Sequence, residues 1–580
     1  MELSKTLTHK GTKSSIVDNY KDDSGVGCPL GPAAYPSRSE NARLRDSGCR
    51  SQRAVAGRTA AVYPGHTGIA AGVGARRTGA PRGRGVGPVG RAGGTAMLTD
   101  AFRRELRSAL GPGAVLDDPA QLATYECDGL TGYRVTPALV VLPASTGQVA
   151  TVVRACARER VPFVARGAGT GLSGGALPHA DGVLIVTSRM RRILEIDLAN
   201  RRMTLEPGVT NLDVSKAVAG DGMYYAPDPS SQVVCTIGGN VAENSGGAHC
   251  LKYGFTTNHV LALEVVLPDG EVVTLGGDAP DPTGYDLRGF FIGSEGTLGI
   301  ATRITVRLLA RPEAVRTLVA DFPSPHHAGD AVSAIVAAGI VPAAIEMMDN
   351  LAIQACERAT GAGYSLDAGA ALVVEVDGPE ADCGPAFEQV RRLCRETGAT
   401  RLRDAGGDGE RARIWKGRRA AFAAMGRISR DYFVQDGVIP RTRLGEVLER
   451  IGRMGEDAGL RVANVFHAGD GNLHPLVLYD ERVEGEAERA ERLSTMIVEL
   501  CVEQGGSITG EHGVGRDKQC SMPKMFDADD LAVMDRARAA WDPQGICNPG
   551  KLLPTPRLCG ELRGRYRPHP LEAAGVIGRG

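Results

Sequence analysis

The chain has 580 residues and a formal net charge of −1. That balance gives no case for nucleic-acid binding by the whole chain, and no run of about 18 apolar residues is present to span a membrane. The length suffices for two or three domains with full cores.

Charge is unevenly spread. Residues 1–96 hold 15 Lys+Arg against 6 Asp+Glu, which leaves the remainder acidic. This first segment is rich in Gly, Arg, Ser, Ala and Pro and has no sustained hydrophobic period, so it is expected to be a disordered basic extension. Three readings of it stand open. It is an upstream extension ahead of a start at Met97, the reading the ordered-looking "MLTDAFRRELRSAL" favours; or a targeting segment; or a basic tail for a partner. A secretory signal is not expected, because "MELSKTLTHKGTK" leads into no apolar h-region. The thirteen cysteines are scattered and none forms C-x-x-C. That argues against a zinc ribbon and against a cysteine-ligated iron–sulfur cluster. Reduced thiols and a cytoplasmic location, peripheral at the membrane only through partner subunits, are expected.

In chain order, residues 100–110 predict a short amphipathic helix and 138–145 a strand. Residues 147–161 carry apolar residues at helical spacing. "PFVARGAGTGLSGG" reads as a short strand running into a glycine loop. "GVLIVTS", "ILEIDLANRRMTLEPG" and "ALEVVLPDGEVVTLGG" read as strands and hairpins, the last with an Asp-Gly turn. These form one α+β domain, 97–318. Helices in "SPHHAGDAVSAIVAAGI", "AFEQVRRLCRETG", 410–427 and 487–504, interleaved with strands such as "AALVVEVDG", make a second α+β domain, 319–555. The tail, 556–580, is expected to be loose.

The glycine loop follows a strand, so phosphate binding is a natural reading. It is not a dinucleotide fingerprint: counted from Gly167, Leu172 stands where the third glycine is required, and loop and strand follow rather than a helix. A P-loop is excluded by the missing Gly-Lys-[Ser/Thr]. What remains is a backbone able to present several N–H groups to a pyrophosphate. Two further glycine-rich segments, 226–254 and 290–308, suggest that the backbone approaches a large flat ligand in several places.

In "NVFHAGDGNLHPLVLYD", His467 and His474 flank Gly-Asp-Gly-Asn. That turn chemistry would break a helix, and both flanks favour strands. A hairpin would bring the two imidazoles together. Two histidines alone do not make a metal site.

The segments "VPFVARGAGTGLSGG", "PDPSS", "TIGGNVAENSGG", "GSEGTLGI", "HAGDGNLH", "GEHGVGRDK" and "NPGKLL" resemble, in combination and over about residues 100–555, the FAD-linked 2-hydroxyacid dehydrogenases. These include D-lactate dehydrogenase, D-2-hydroxyglutarate dehydrogenase and the glycolate oxidase flavoprotein subunit, to which the likeness is greatest. The resemblance implies a flavin domain of the vanillyl-alcohol oxidase and p-cresol methylhydroxylase type, with a C-terminal oxidase domain. It implies that Arg166, Gly167, Ala168, Gly169, Thr170 and Gly171 hold the FAD pyrophosphate, with Ser173 and Gly174 also at the cofactor. Pro227, Gly238, Gly239, Asn240, Asn244 and Gly246 would line the flavin. Glu295, Gly299, Ile300 and Asn548 would complete the cofactor site. No histidine stands in the 165–175 loop, so the flavin is expected to be non-covalent. It also implies that His467, His474 and Glu511 hold a divalent cation, zinc or manganese, and that His512 is the base. Asp470 and Asn472 would shape the turn or support the ligating histidines.

Arg418 is the residue implied for the substrate carboxylate, with Arg419 as the alternative. Where relatives acting on 2-hydroxyglutarate carry a lysine and a threonine, this chain aligns Val434 and Phe422. That favours a small substrate, glycolate or D-lactate, over a diacid. Two alternatives to such a dehydrogenase are D-2-hydroxyglutarate dehydrogenase and a non-catalytic or non-redox flavoprotein subunit of the same fold. With no iron–sulfur pattern in the chain, electrons would leave through an iron–sulfur partner subunit or a quinone.

Overall fold

The computed structural model describes residues 98–278 and 283–555. The readings made for 1–96 and 556–580 lie outside the described residues. Two sheets carry the first half. In one, strands Leu139–Val141, Val183–Val186 and Phe163–Arg166 run parallel, with Val115–Leu116 antiparallel on the outer edge. Helix Thr146–Glu159, capped by the Ser145 hydroxyl, makes the crossover from Leu139–Val141 to Phe163–Arg166. The glycine loop therefore leaves the end of a buried parallel strand, where ligands bind in such sheets. The other sheet is antiparallel, in the order Ile193–Asp197, Arg202–Leu205, Ile300–Arg307, Val260–Val266, Val272–Gly276. The Asp-Gly hairpin expected at 267–271 joins its last two strands, with Gly270 at φ +88°.

The second half is built on a large antiparallel sheet. Its central order is Ala314–Phe322, Ala370–Gly378, Ala344–Asp349, Arg461–His467. Alternation with period two sorts its side chains. Leu318, Ala320, Phe322, Ile345, Met347, Leu372 and Val374 pack under helices Pro325–Ala337, Glu380–Glu396, Leu444–Ala458 and Glu486–Glu503. Val319, Ala344, Met348, Ala371, Val373, Ala463 and Val465 face the opposite way, onto Asn350–Thr360 and the Ile414–Met425 stretch. The expected 410–427 helix is two pieces, Asp408–Arg419 and Ala421–Met425, hinged at Ala420.

One segment departs from its reading as loop. Ile237–Glu243 is helical despite Gly238 and Gly239, with the Thr236 hydroxyl accepting from the Gly239 N–H. Glycine disfavours a helix by its backbone freedom, but here the backbone lies against Pro207. A Cβ at Gly238 would fall 2.6 Å from the Pro207 Cβ. The thiols also depart in one respect from the expected reduced set. Nine described cysteines are free, but Cys520 is disulfide-bonded.

The halves are joined by charge. Glu375, 1% exposed on the central sheet, accepts from Thr317, the Trp415 indole N–H and, through two nitrogens, Arg411. Its Oε1 also lies 3.3 Å from His249 Nε2, and His249 Nδ1 lies 2.8 Å from Asp228 of the first half. Burial opposes a charged His249, but Asp228 and Glu375 outweigh it and raise its pKa to about 10. A raised pKa stabilises the fold fully below the ordinary value of 6.5, and this contribution is lost as pH rises through about 10. Removing one partner of such a buried set costs roughly 3–5 kcal/mol. Glu375→Gln is therefore expected to lower the melting temperature sharply at neutral pH. The stability gap between wild type and His249→Gln should be full near pH 6 and narrow as pH approaches 10, read by denaturant titration.

Candidate active site

The hairpin is as the turn chemistry requires. Arg461–His467 pairs with Pro475–Tyr479, and His467 lies opposite Asn472 across the turn. Gly471 takes φ +80° there, and a Cβ would strike the Ile439 carbonyl. Asp470 accepts the Asn472 backbone N–H at 3.1 Å and so shapes the turn, while the Asn472 amide donates to Asp436 at 2.7 Å.

His467 is a direct cross-strand neighbour of Glu346. Its Nδ1 lies 2.7 Å from Glu346 Oε1, and its Nε2 lies 3.1 Å from Glu511 Oε1. His474 Nε2 is 3.4 Å from the same Glu511 oxygen. One ligand atom from each of His467, His474 and Glu511 fits within 4.8 Å of the others. Neither nitrogen of buried His474 has a hydrogen-bond partner. Two imidazoles and a carboxylate converging with unsatisfied nitrogens suit a divalent cation, and the Glu346–His467 bond is the outer support such ligands usually have. Burial works against charge on Glu511, but His467 outweighs it, with help from His474 and His512, and lowers its pKa to about 2.

Asp436, which sequence reading missed, organises this turn. Its buried carboxylate accepts the backbone N–H groups of Gly510, Glu511 and His512 at 3.0, 3.1 and 2.9 Å, and a 3.3 Å bond from Lys518. His512 stacks on His474 with ring centroids 4.8 Å apart and planes 4° from parallel. Burial pushes its imidazole down to about 4, with Asp436 opposing and His474 and Lys518 adding to the fall. It is a neutral imidazole at pH 7 with an unpartnered Nδ1.

Glu511 and His512 stand on the wall of a cavity of about 400 Å³. The other walls are the glycine segments. Arg166, Gly167, Ala168, Gly169, Thr170 and Gly171 line it, with Gly238, Gly239, Asn240, Gly246, Glu295, Gly299 and Ile300. The cradle needs glycine: a Cβ at Gly299, where φ is +141°, would lie 2.6 Å from the Val266 carbonyl. A polar backbone floor between two sheets fits a dinucleotide-sized flavin.

The same architecture is seen in known proteins. Residues 311–552 match the family of FAD linked oxidases, C-terminal domain, and 137–276 match the FAD binding domain. The glycolate oxidase subunit GlcD of Escherichia coli (strain K12) is 52% identical over 476 residues, 81% of this chain and 95% of the relative. That of Bacillus subtilis (strain 168) is 37% identical, covering 79% and 97%. The mitochondrial D-lactate dehydrogenase [cytochrome] of Arabidopsis thaliana is 31% identical, covering 73% and 74%. The chain belongs to the FAD-linked 2-hydroxyacid dehydrogenase family. The fold is that of p-cresol methylhydroxylase, whose substrate-bound structure superposes with a TM-score of 0.67 at 17% identity over 78% of this chain and 97% of that one. FAD is the cofactor of this FAD-linked oxidoreductase. No helix among the described residues is long and apolar enough to cross a membrane.

Within this FAD-linked dehydrogenase, five residues expected at the cofactor do not line the cavity; they hold its walls. The Ser173 carbonyl accepts from the Arg516 and Asp517 N–H groups, and Gly174, at φ +77°, packs on Arg516. The Pro227 carbonyl accepts from Asn211, and the Asn244 side chain from the Thr257 N–H. Asn548 donates to the carbonyls of Gly175 and Glu295.

Arg418 and Arg419 are placed differently. Arg418 is 2% exposed and off the cavity wall, with Nε 2.8 Å from Glu346 Oε2. Arg419 lines the cavity, beside Phe422. The reason is Glu346: fully buried beside His467, it needs the nearer guanidinium. Val434 lies on the strand paired to Leu476 and is not among the cavity-lining residues.

Overpacking a tight backbone contact costs about 1–3 kcal/mol. Gly238→Ala should therefore weaken FAD binding to the apo-protein roughly tenfold, measured by flavin fluorescence quenching.

Proposed function

We propose that this chain oxidises a small 2-hydroxy acid, glycolate or D-lactate, to the 2-oxo acid, and that a divalent cation held by His467, His474 and Glu511 assists. The observation that carries the reading is the placement of His512. It is a neutral imidazole, stacked on His474, one residue from Glu511, and on the wall of the cavity built by the glycine segments. When bound, FAD supplies a two-electron acceptor and the cation supplies Lewis acidity toward the substrate hydroxyl.

The chain's own groups do the rest. His512 takes the hydroxyl proton; its depressed pKa keeps it unprotonated at pH 7 and ready to accept. Asp436, through its bonds to the 510–512 backbone, fixes where that imidazole points. Glu346 holds His467 through Nδ1, which leaves Nε2 directed toward Glu511. Phe422, near His474 with centroids 6.0 Å apart, makes the wall apolar and helps exclude water. The arginines lining the cavity are Arg166 and Arg419. Arg166 donates to the Cys127 carbonyl beside the glycine loop, which leaves Arg419 for the substrate carboxylate. Among the described residues the only other arginine on the cavity wall is Arg166, held at the glycine loop, and this supports glycolate or D-lactate over a diacid. Electrons would leave through an iron–sulfur partner subunit or a quinone. The name "subunit" carried by relatives in Escherichia coli and Bacillus subtilis supports a partner subunit of some kind.

Anaerobic addition of glycolate or D-lactate should bleach the flavin band. Prior chelation should abolish the bleaching, and zinc or manganese should restore it. His512→Asn should slow it by roughly 10²–10⁴-fold while the flavin stays bound. Bleaching that survives complete metal removal would refute the cation's part.

The arginines separate by a second measurement. Arg419→Lys should raise KM with metal content unchanged. Arg418→Lys should instead lower metal affinity roughly 10–100-fold, because it loosens Glu346 on His467; a rise in KM alone would make Arg418 the carboxylate partner.

A further inference from the structure

One acid on the cavity wall has no part in the chemistry above. Glu243, the last residue of the Ile237–Glu243 helix, lines the cavity between the glycine loop and the turn that follows His512. A Cβ built on Gly175 would lie 2.7 Å from its Oε1, and one built on Gly513 would touch its Oε2. The same point at Gly513 is 2.9 Å from Glu295 Oε1, so two carboxyl groups crowd one glycine.

Their surroundings differ sharply. Glu295 accepts the Val514 and Gly515 N–H groups at 2.7 and 2.6 Å. Glu243 Oε2 is buried with no hydrogen-bond partner. The lysines that face this corner are engaged elsewhere. Lys518 donates to Asp436 and to the Gly513 carbonyl, and Lys551 to the Leu177 carbonyl and Asn548. Asp128, the remaining charged neighbour, adds only repulsion. FAD brings a further anion, its pyrophosphate. Two buried carboxyl groups in contrasting environments divide into one charged and one neutral member. Glu295 has the donors that a charge requires and Glu243 has none.

We propose that Glu243 is a neutral carboxylic acid in the flavin cavity and donates a hydrogen bond to bound FAD. Burial and Glu295 both act in this direction, raising the Glu243 carboxyl well above the usual range; burial raises Glu295 as well, but there the Val514 and Gly515 N–H groups oppose the rise.

The test is FAD titration of the full-length apo-protein, followed by flavin fluorescence, with circular dichroism to check the fold. Glu243→Gln keeps a neutral donor and should bind FAD within about threefold of wild type. Glu243→Met keeps length without a donor and should bind roughly tenfold more weakly, the cost of leaving an acceptor unmet. If Glu243→Met binds as wild type does, or Glu243→Gln loses as much as Glu243→Met, the proposal fails. Should Glu243→Met not fold, the ratio of the wild-type dissociation constant to that of Glu243→Gln decides. Changes in Glu295, Asp128, Lys518 and Lys551 are common to both proteins and cancel in it. The ratio should rise with pH as the wild-type carboxyl ionises and the donor is lost; a flat ratio overturns the idea.

Discussion

The site depends on one buried carboxylate. Asp436 gathers three consecutive backbone N–H groups of the 510–512 turn, the side chain of Asn472 and the ammonium of Lys518. Burial alone would penalise its charge, yet Lys518, His512 and His474 hold it well below the usual carboxylate range. A charged acceptor fixes a turn more firmly than neutral partners would, because charge-assisted bonds are shorter and about twice as strong. Through this one group the histidine hairpin and the Glu511–His512 turn become a single object.

Support then passes outward in layers. Arg418 neutralises Glu346, Glu346 orients His467, and His467 meets Glu511. On the cofactor side Glu295 does for Val514 and Gly515 what Asp436 does for the preceding turn. The 510–515 loop is thus gripped by two carboxylates from opposite halves of the chain. His512 lies between those grips, which is why its ring can be half-buried, neutral and still fixed in direction.

How much of this was legible depended on range. The His467–His474 hairpin could be read locally, since Gly-Asp-Gly-Asn dictates a turn and its flanks dictate strands. The glycine segments were legible as a class, and most of their residues do line the cavity. The helix at Ile237–Glu243 was not, because its two glycines argue for loop and only contact with Pro207 explains them. Glu346, Asp436 and Glu243 carry no local signal at all: each is an ordinary acid until strand pairing or loop packing sets it beside partners far away in sequence. The different placement of Arg418 and Arg419 was not legible for the same reason. Spacing puts the arginines side by side on one helix, and Glu346, on another strand, decides which of them faces the cavity.

The end of the described chain has a consequence for how the molecule is made. Phe163, on the strand that leads into the glycine loop, pairs with Cys547, and its carbonyl accepts the Asn548 N–H at 2.8 Å. Asn548 and Lys551 then close carbonyls of Gly175, Glu295 and Leu177. The flavin half is thus completed by residues synthesised nearly four hundred positions later. Contacts of such separation form late, and domains emerging from the ribosome otherwise fold N-terminal first. On the ribosome the glycine loop must wait with its wall unfinished. The last residues of the oxidase domain act as the closing stitch of the flavin site.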